Sequence, residues 1–165
     1  MPLRDLIDAQ RIAILAEPGT LATVLDAAAR LLARPSADPD SEVALALVLG
    51  EKLQRREQLA STGIGHGVAI PHARIDGIDN TRGAFLRLAQ PVDFNAADRE
   101  PVDLVLALAV PEHHVQQHLQ MLADLAEHFA DPSWRAQLRA VDCIADLHRL
   151  LLEPRPAALS SEASA

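Results

Sequence analysis

The sequence predicts an α/β domain, with helices at both ends around a few central strands. Three observations predict it. Val102 to Val110 is almost continuously apolar, as expected of a central strand covered on both sides. Shorter segments with strand-like alternation precede it in the middle of the chain. Segments with helical periodicity occupy both ends. At 165 residues, 49% of them apolar, the chain has the length of one domain and enough apolar side chains to fill a core.

The elements follow in order. Residues 11–17, Arg-Ile-Ala-Ile-Leu-Ala-Glu, read as a short strand or an irregular lead-in. Pro18, Gly19 and Thr20 then supply a turn and a cap for a helix over 21–34, whose Leu21, Val24, Leu25, Ala28 and Leu32 share one face. Pro35 to Pro39 ends that helix, and Asp40 or Ser41 can cap the next, over 42–58. Gly67 to Ala73 reads as a strand, with Val68 and Ile70 alternating against Ala69 and Pro71. Gly83 to Leu88 is a second strand and Val102 to Val110 the third, joined by the turn-rich residues 93–101. A helix over 112–130 carries the stripe Val115, Leu119, Leu122, Ala126 and Phe129. Asp131-Pro132-Ser133 stops it and starts a short helix through Ala140, and Asp142 caps a last helix to Glu153. The domain is therefore expected over 1–153, and the Pro-, Ala- and Ser-rich tail 154–165 is expected to be disordered.

Composition narrows the function. A net charge of −8, no Tyr, one Trp and three Phe argue against nucleic acid as a partner, which calls for a basic face or stacking platforms. The longest apolar stretches fall well short of a membrane span, and the N-terminus lacks the uncharged apolar core of a signal peptide. A soluble, cytoplasmic chain without membrane insertion is expected. Cys143 is the single cysteine, so no intramolecular disulfide is possible. It falls in an apolar helical pattern with Ile144, Leu147, Leu150 and Leu151, which predicts a buried structural thiol.

Chemistry concentrates in Ser61-Thr-Gly-Ile-Gly-His-Gly-Val-Ala-Ile-Pro-His72. Pro71 and the apolar run before it can fix the direction of the His72 ring. Gly63, Gly65 and Gly67 can let backbone N–H groups converge on an anion. The pattern is neither the P-loop nor the dinucleotide fingerprint, lacking their lysine and their strand-to-helix order. An imidazole so mounted suits a nucleophile that receives a phosphoryl group; the plain alternative is a turn histidine at a strand end. His113, His114 and His118 lie on the following helix, and His118 sits beside its apolar stripe. There it can look across at a neighbouring strand and donate to a phosphoryl oxygen, or simply be a boundary histidine with an exposed tip. His114 and His118 are also spaced to hold zinc with His72 as a third ligand, though the glutamate of His-Glu-x-x-His is missing. His66, His128 and His148 read as solvated or supporting residues.

Arg56-Glu-Gln-Leu-Ala-Ser-Thr-Gly-Ile-Gly-His-Gly-Val-Ala-Ile-Pro-His72-Ala resembles the active-site signature of the phosphotransferase-system (PTS) EIIA domains of the fructose–mannitol type, and within them the stand-alone nitrogen-related branch. The resemblance continues through Pro91-Val-Asp-Phe, Asp98-Arg-Glu-Pro-Val-Asp-Leu and Ala107-Leu-Ala-Val-Pro to Gln117-His118-Leu-Gln-Met-Leu. It implies an α/β sandwich, a small mixed central β-sheet flanked by helices on both faces, in which His72 is phosphorylated by an HPr-type phosphocarrier and His118 stabilises the phosphoryl group. It also implies that Arg56, which has Arg55 beside it, balances phosphate charge or meets a partner; the plain alternative is a solvated arginine at a helix end. No metal and no organic cofactor is implied. The phosphate would pass to a separate EIIB, or the phosphorylation state would regulate proteins such as kinases or potassium-transport components. His66 departs from the family pattern, where a small polar residue is common, and Ala73-Arg74 stands where Gly-Lys also occurs.

Overall fold

The computed structural model describes residues 3–36, 38–113 and 115–153, so the tail 154–165 and His114 lie outside the described residues. Six strands form one mixed sheet: β1 (Ile7–Leu15), β2 (Gly63–Gly65), β3 (Val68–Ala69), β4 (His72–Ile75), β5 (Arg82–Val92) and β6 (Val102–Pro111). The order is β1-β5-β6-β3-β2, with β4 also pairing with β6. β1 runs parallel to β5, β5 antiparallel to β6, and β3 and β4 each parallel to β6. The six helices are α1 (Leu3–Leu6), α2 (Leu21–Leu32), α3 (Pro39–Leu59), α4 (Val115–Phe129), α5 (Pro132–Ala140) and α6 (Ile144–Leu152).

Strand periodicity divides the core in two. Val105, Ala107 and Ala109 of β6 pack with Ala84 and Leu86 of β5 against α2 and α3. Leu104, Leu106, Leu108 and Val110 point the other way, with Phe85, against Leu125, Phe129, Trp134, Leu138 and Leu147 of α4, α5 and α6. The layers are therefore helix, sheet, helix, as the apolar run of β6 requires.

Local chemistry explains the boundaries and several departures from the sequence expectation. Thr20 caps α2 reciprocally with Thr23, each side chain accepting from the other's backbone N–H. α3 begins earlier than expected: Asp38, not Asp40 or Ser41, is the cap, accepting from Ser41 N–H, with Pro39 at the first helical position. The expected strand 67–73 is two short strands, because Pro71 cannot donate to a ladder. β1 is longer than residues 11–17 suggested, since pairing with β5 extends it back to Ile7.

α4 buries a different stripe from the expected one. His118, Leu125 and Phe129 are buried, while Val115 and Leu119 are exposed. Both sets recur at helical spacing; packing against Phe85 and the α5–α6 layer selects the one that contains His118. Cys143 is exposed rather than buried. It is the N-cap of α6 and makes no side-chain cap bond, while Asp142, the expected cap, lies outside the helix. α6 buries Leu147 and Leu151, and its first residue Ile144 stays exposed, which leaves Cys143 outside the core.

The glycine segment is a hairpin. β2 and β3 pair antiparallel around a turn where Gly65, His66 and Gly67 all take positive φ. Asp98 accepts from His66 N–H at 2.9 Å, and Arg139 of α5 donates to the His66 carbonyl at 2.6 Å while gripping both oxygens of Asp103. A Cβ on Gly67 would lie 2.5 Å from the Arg139 guanidinium and 3.0 Å from Asp103. Glycine is required there by both conformation and space.

Two outcomes test this account. Cys143→Ser supplies the missing cap to α6, with Asp146 in the first turn, and should raise the urea midpoint by an amount equivalent to about 0.5–1 kcal/mol. Gly67→Ala should lower it by about 1–3 kcal/mol, through strained φ and displacement of Arg139.

Candidate active site

α3, β4 and α4 converge on His72, the first residue of β4 and half-buried. Its Nδ1 lies 2.9 Å from the Ile70 carbonyl oxygen. A carbonyl only accepts, so this partner assigns the hydrogen to Nδ1 and leaves the lone pair on Nε2. Nε2 in turn accepts from Nε of Arg56 at 3.2 Å. Arg56 is anchored from its other end by a 2.7 Å bond from Nη1 to the Ala60 carbonyl. Arg55 turns away and pairs with Glu51 one turn back. The two adjacent arginines are thus distinguished by helix phase.

His118 stands on the other side of the ring, its centroid 5.2 Å from that of His72 at an interplanar angle of 61°. It is 7% exposed, and its buried Nδ1 has no hydrogen-bond partner among the described residues. The boundary position with an exposed tip is therefore not the one it occupies. Burial lowers the His72 pKa below the ordinary imidazole value, against the Ile70 carbonyl, which raises it; Arg56 and Arg74 lower it further. His118 is pushed down to about 4, first by burial and then by His72, Arg74 and Arg56. Both rings are neutral at pH 7 within a field of two guanidinium groups. That combination suits a neutral nucleophile facing a dianion.

An open hollow of about 170 Å³ adjoins His72, lined also by Arg56, Ser61, Thr62, Gly63, Ile64, Ile70 and Leu122. The hollow therefore brings Arg56, Gly63 and His72 together, and His118 joins them through its ring contact with His72 rather than by lining the hollow. Gly65 and Gly67 do not line this hollow: they form the hairpin turn held by Asp98 and Arg139. Three backbone N–H groups of this segment already have partners. Gly63 N–H donates to Ser61 Oγ, His66 N–H to Asp98, and Ile70 N–H to the Thr62 carbonyl.

Arg74 belongs to the electrostatics of the site although the sequence reading gave it no role. Its signal was the strand period, which places residues 72 and 74 on one side of β4. His118 has His72 as its ring neighbour; His114, its expected companion for zinc, lies outside the described residues. A second cavity of about 340 Å³ borders His118 and is lined by His113, Thr81 and Asp124 among others. His128 is half-buried and packs edge-on against Phe129 and Trp134, a supporting position. His148 is half-buried, with Nε2 inaccessible to solvent. No helix among the described residues is long and apolar enough to cross a membrane.

Comparison with known proteins gives these residues a family. The model of the phosphoenolpyruvate-dependent sugar phosphotransferase system, EIIA 2, matches residues 5–153. The chain is 36% identical over 135 residues to the nitrogen regulatory protein of Pseudomonas aeruginosa, covering 82% of this chain and 84% of that one. Its structure matches that of nitrogen regulatory protein IIA-Ntr from Neisseria meningitidis with a TM-score of 0.77 and 35% identity, over 90% of this chain and 98% of that one. The fold is also that of Escherichia coli IIA mannitol in its complex with phosphorylated IIB mannitol, at a TM-score of 0.66 and 19% identity over 88% and 98% of the two chains. The chain belongs to the EIIA type-2 family of the phosphoenolpyruvate-dependent phosphotransferase system, with nitrogen regulatory proteins among its relatives.

Proposed function

We propose that His72 accepts a phosphoryl group at Nε2 from a phosphorylated HPr-type carrier, and that the phosphorylated state is used for nitrogen-PTS regulation. The observation that carries this reading is the ring's hydrogen bonding. Nδ1–H faces the Ile70 carbonyl, so the lone pair is on Nε2, where it meets Arg56, and both residues line the hollow. In the reaction the Nε2 lone pair attacks phosphorus, and the donor's P–N bond breaks as the Nε2–P bond forms. With the donor ring protonated on its other nitrogen, the returning electron pair leaves it as neutral imidazole. The His72 ring takes up the positive charge, which the Ile70 carbonyl accepts through Nδ1–H.

Arg56 must release Nε2 for this to happen, and its N–H groups then lie beside the incoming phosphoryl oxygens. Arg74 adds positive charge, and His118, in ring contact with His72, would donate a hydrogen bond to the same oxygens. Leu59, Ile64, Val115 and Leu119 are exposed apolar residues close in sequence to Arg56, Gly63 and His118. They give a protein donor an apolar surface next to the nucleophile. Both the Pseudomonas and the Neisseria relatives are nitrogen regulatory proteins, which favours regulated targets, such as kinases or potassium-transport components, over a sugar-specific EIIB as the next partner.

Incubation with Enzyme I, an HPr-type carrier and labelled phosphoenolpyruvate should give an acid-labile, alkali-stable label, absent from His72→Ala. Arg56→Ala should slow labelling by about a hundredfold through loss of one donor to the transferring group. Label that persists in His72→Ala, or no label on the wild-type chain, would refute the proposal. Rapid discharge of the label to a fructose- or mannitol-type EIIB would replace regulation with sugar uptake.

Stability should follow the neutral state of the two rings. His118 titrates near 4 when folded, against about 6.5 for an unperturbed imidazole. Between those values the unfolded chain binds more protons than the folded one. Stability should therefore be full above pH 6.5 and fall as pH drops toward 4. Urea midpoints measured from pH 7.5 to 4 should show this slope, flattened in His118→Asn but not abolished, since His72 is displaced in the same direction.

A further inference from the structure

We propose that Glu57 is a positioning residue for His72, acting through Thr62 to set the direction and tautomer of the ring; its effect on rate rests on the carrier function proposed above. Glu57 and Thr62 are 8% and 6% exposed, two of the four buried polar or charged residues among those described. Burying a carboxylate is costly unless its oxygens are satisfied, and here both are. Oε1 accepts from Thr62 N–H at 2.9 Å and Oε2 from the Thr62 hydroxyl at 2.5 Å. Bonds to an ionised acceptor are the strong kind, so Thr62 is clamped to α3 at two points.

From Thr62 the connection runs to the ring. The Thr62 carbonyl accepts from Ile70 N–H at 3.0 Å, and the Ile70 carbonyl accepts from His72 Nδ1–H at 2.9 Å. Ile70 lies just beyond β3, which ends at Ala69. The next peptide, between Pro71 and His72, is fixed separately, by Leu108 N–H on the Pro71 carbonyl. What the Glu57–Thr62 clamp adds is the position of the Ile70 carbonyl, the one acceptor that keeps the hydrogen on Nδ1. Arg56, the neighbouring residue on α3, holds the opposite ring nitrogen. The last turn of α3 therefore controls both nitrogens of His72, one directly and one through three successive hydrogen bonds.

Two conservative and two disruptive variants separate this role from simple bracing of a loop. Glu57→Gln and Thr62→Ser keep an acceptor and a hydroxyl in place; Glu57→Ala and Thr62→Val remove them. Two-bond 15N–1H spectra of the imidazole should find the Nδ1–H tautomer of His72 in the wild-type chain, Glu57→Gln and Thr62→Ser. Glu57→Ala and Thr62→Val should populate the Nε2–H tautomer measurably. In the labelling assay kcat should fall by about ten- to a hundredfold in the two disruptive variants, with KM for the carrier within about twofold. An unchanged tautomer in both folded disruptive variants would overturn the proposal, even if their thermal midpoints drop. The spectra need no phosphoryl donor, so a wild-type chain that takes no label would count against the carrier function and not against the clamp.

Discussion

β6 has no face that water can favour. Apart from Asp103 at its start, every residue from Val102 to Val110 is apolar, and those residues are buried on both sides of the sheet. Helices must cover each face, and neighbours must satisfy each edge. β5 takes one edge and the short strands β3 and β4 share the other, which carries His72 into register with Leu108. The interruption at Pro71 follows from this sharing. β3 ends, the chain steps across one peptide without a donor, and β4 begins with the imidazole. The nucleophile proposed here thus stands at a seam in the sheet, where backbone groups are free to bond a side chain.

The same seam sets the electrostatics. A ring on an exposed loop would titrate near its ordinary value and lose half its nucleophile to protonation in mildly acidic conditions. Partial burial between β6 and α4 keeps His72 neutral, and the cations Arg56 and Arg74 keep it so while supplying positive charge around it. His118 is under the same influences and more strongly shifted. Neutral rings among fixed cations form an environment that rejects protons and accepts dianions. Phosphoryl transfer, in which charge sits on the oxygens of the moving group, is the chemistry that such a field assists.

The layers and the central strand were legible because a two-sided apolar strand and amphipathic helices leave unambiguous patterns. The α4 stripe was not, since Val115–Leu119–Leu122 and His118–Leu122–Leu125 are both helical repeats, and tertiary packing chose between them. Cys143 was misplaced for a related reason: the pattern marked α6 correctly but could not say that its face begins after the cap. The glycines were legible as necessary and not as to purpose. Their spacing looked like an anion nest, whereas Gly67 is dictated by Arg139, which lies 72 residues further along the chain and is invisible to local pattern. Glu57 and Thr62 carry no local signal of their pairing, which only the fold creates by burying them together.

Arg56 donates into the lone pair that the proposed reaction needs. The resting ring is therefore stoppered by its own helper. A neutral electrophile approaching from the hollow offers the guanidinium no better partner and finds the nitrogen occupied. A phosphoryl group offers oxygens that a guanidinium prefers to an imidazole nitrogen, so its arrival withdraws the stopper as it presents phosphorus. If His72 is the nucleophile proposed above, discrimination between its donor and adventitious alkylating or acylating agents would be built into a single side chain, Arg56.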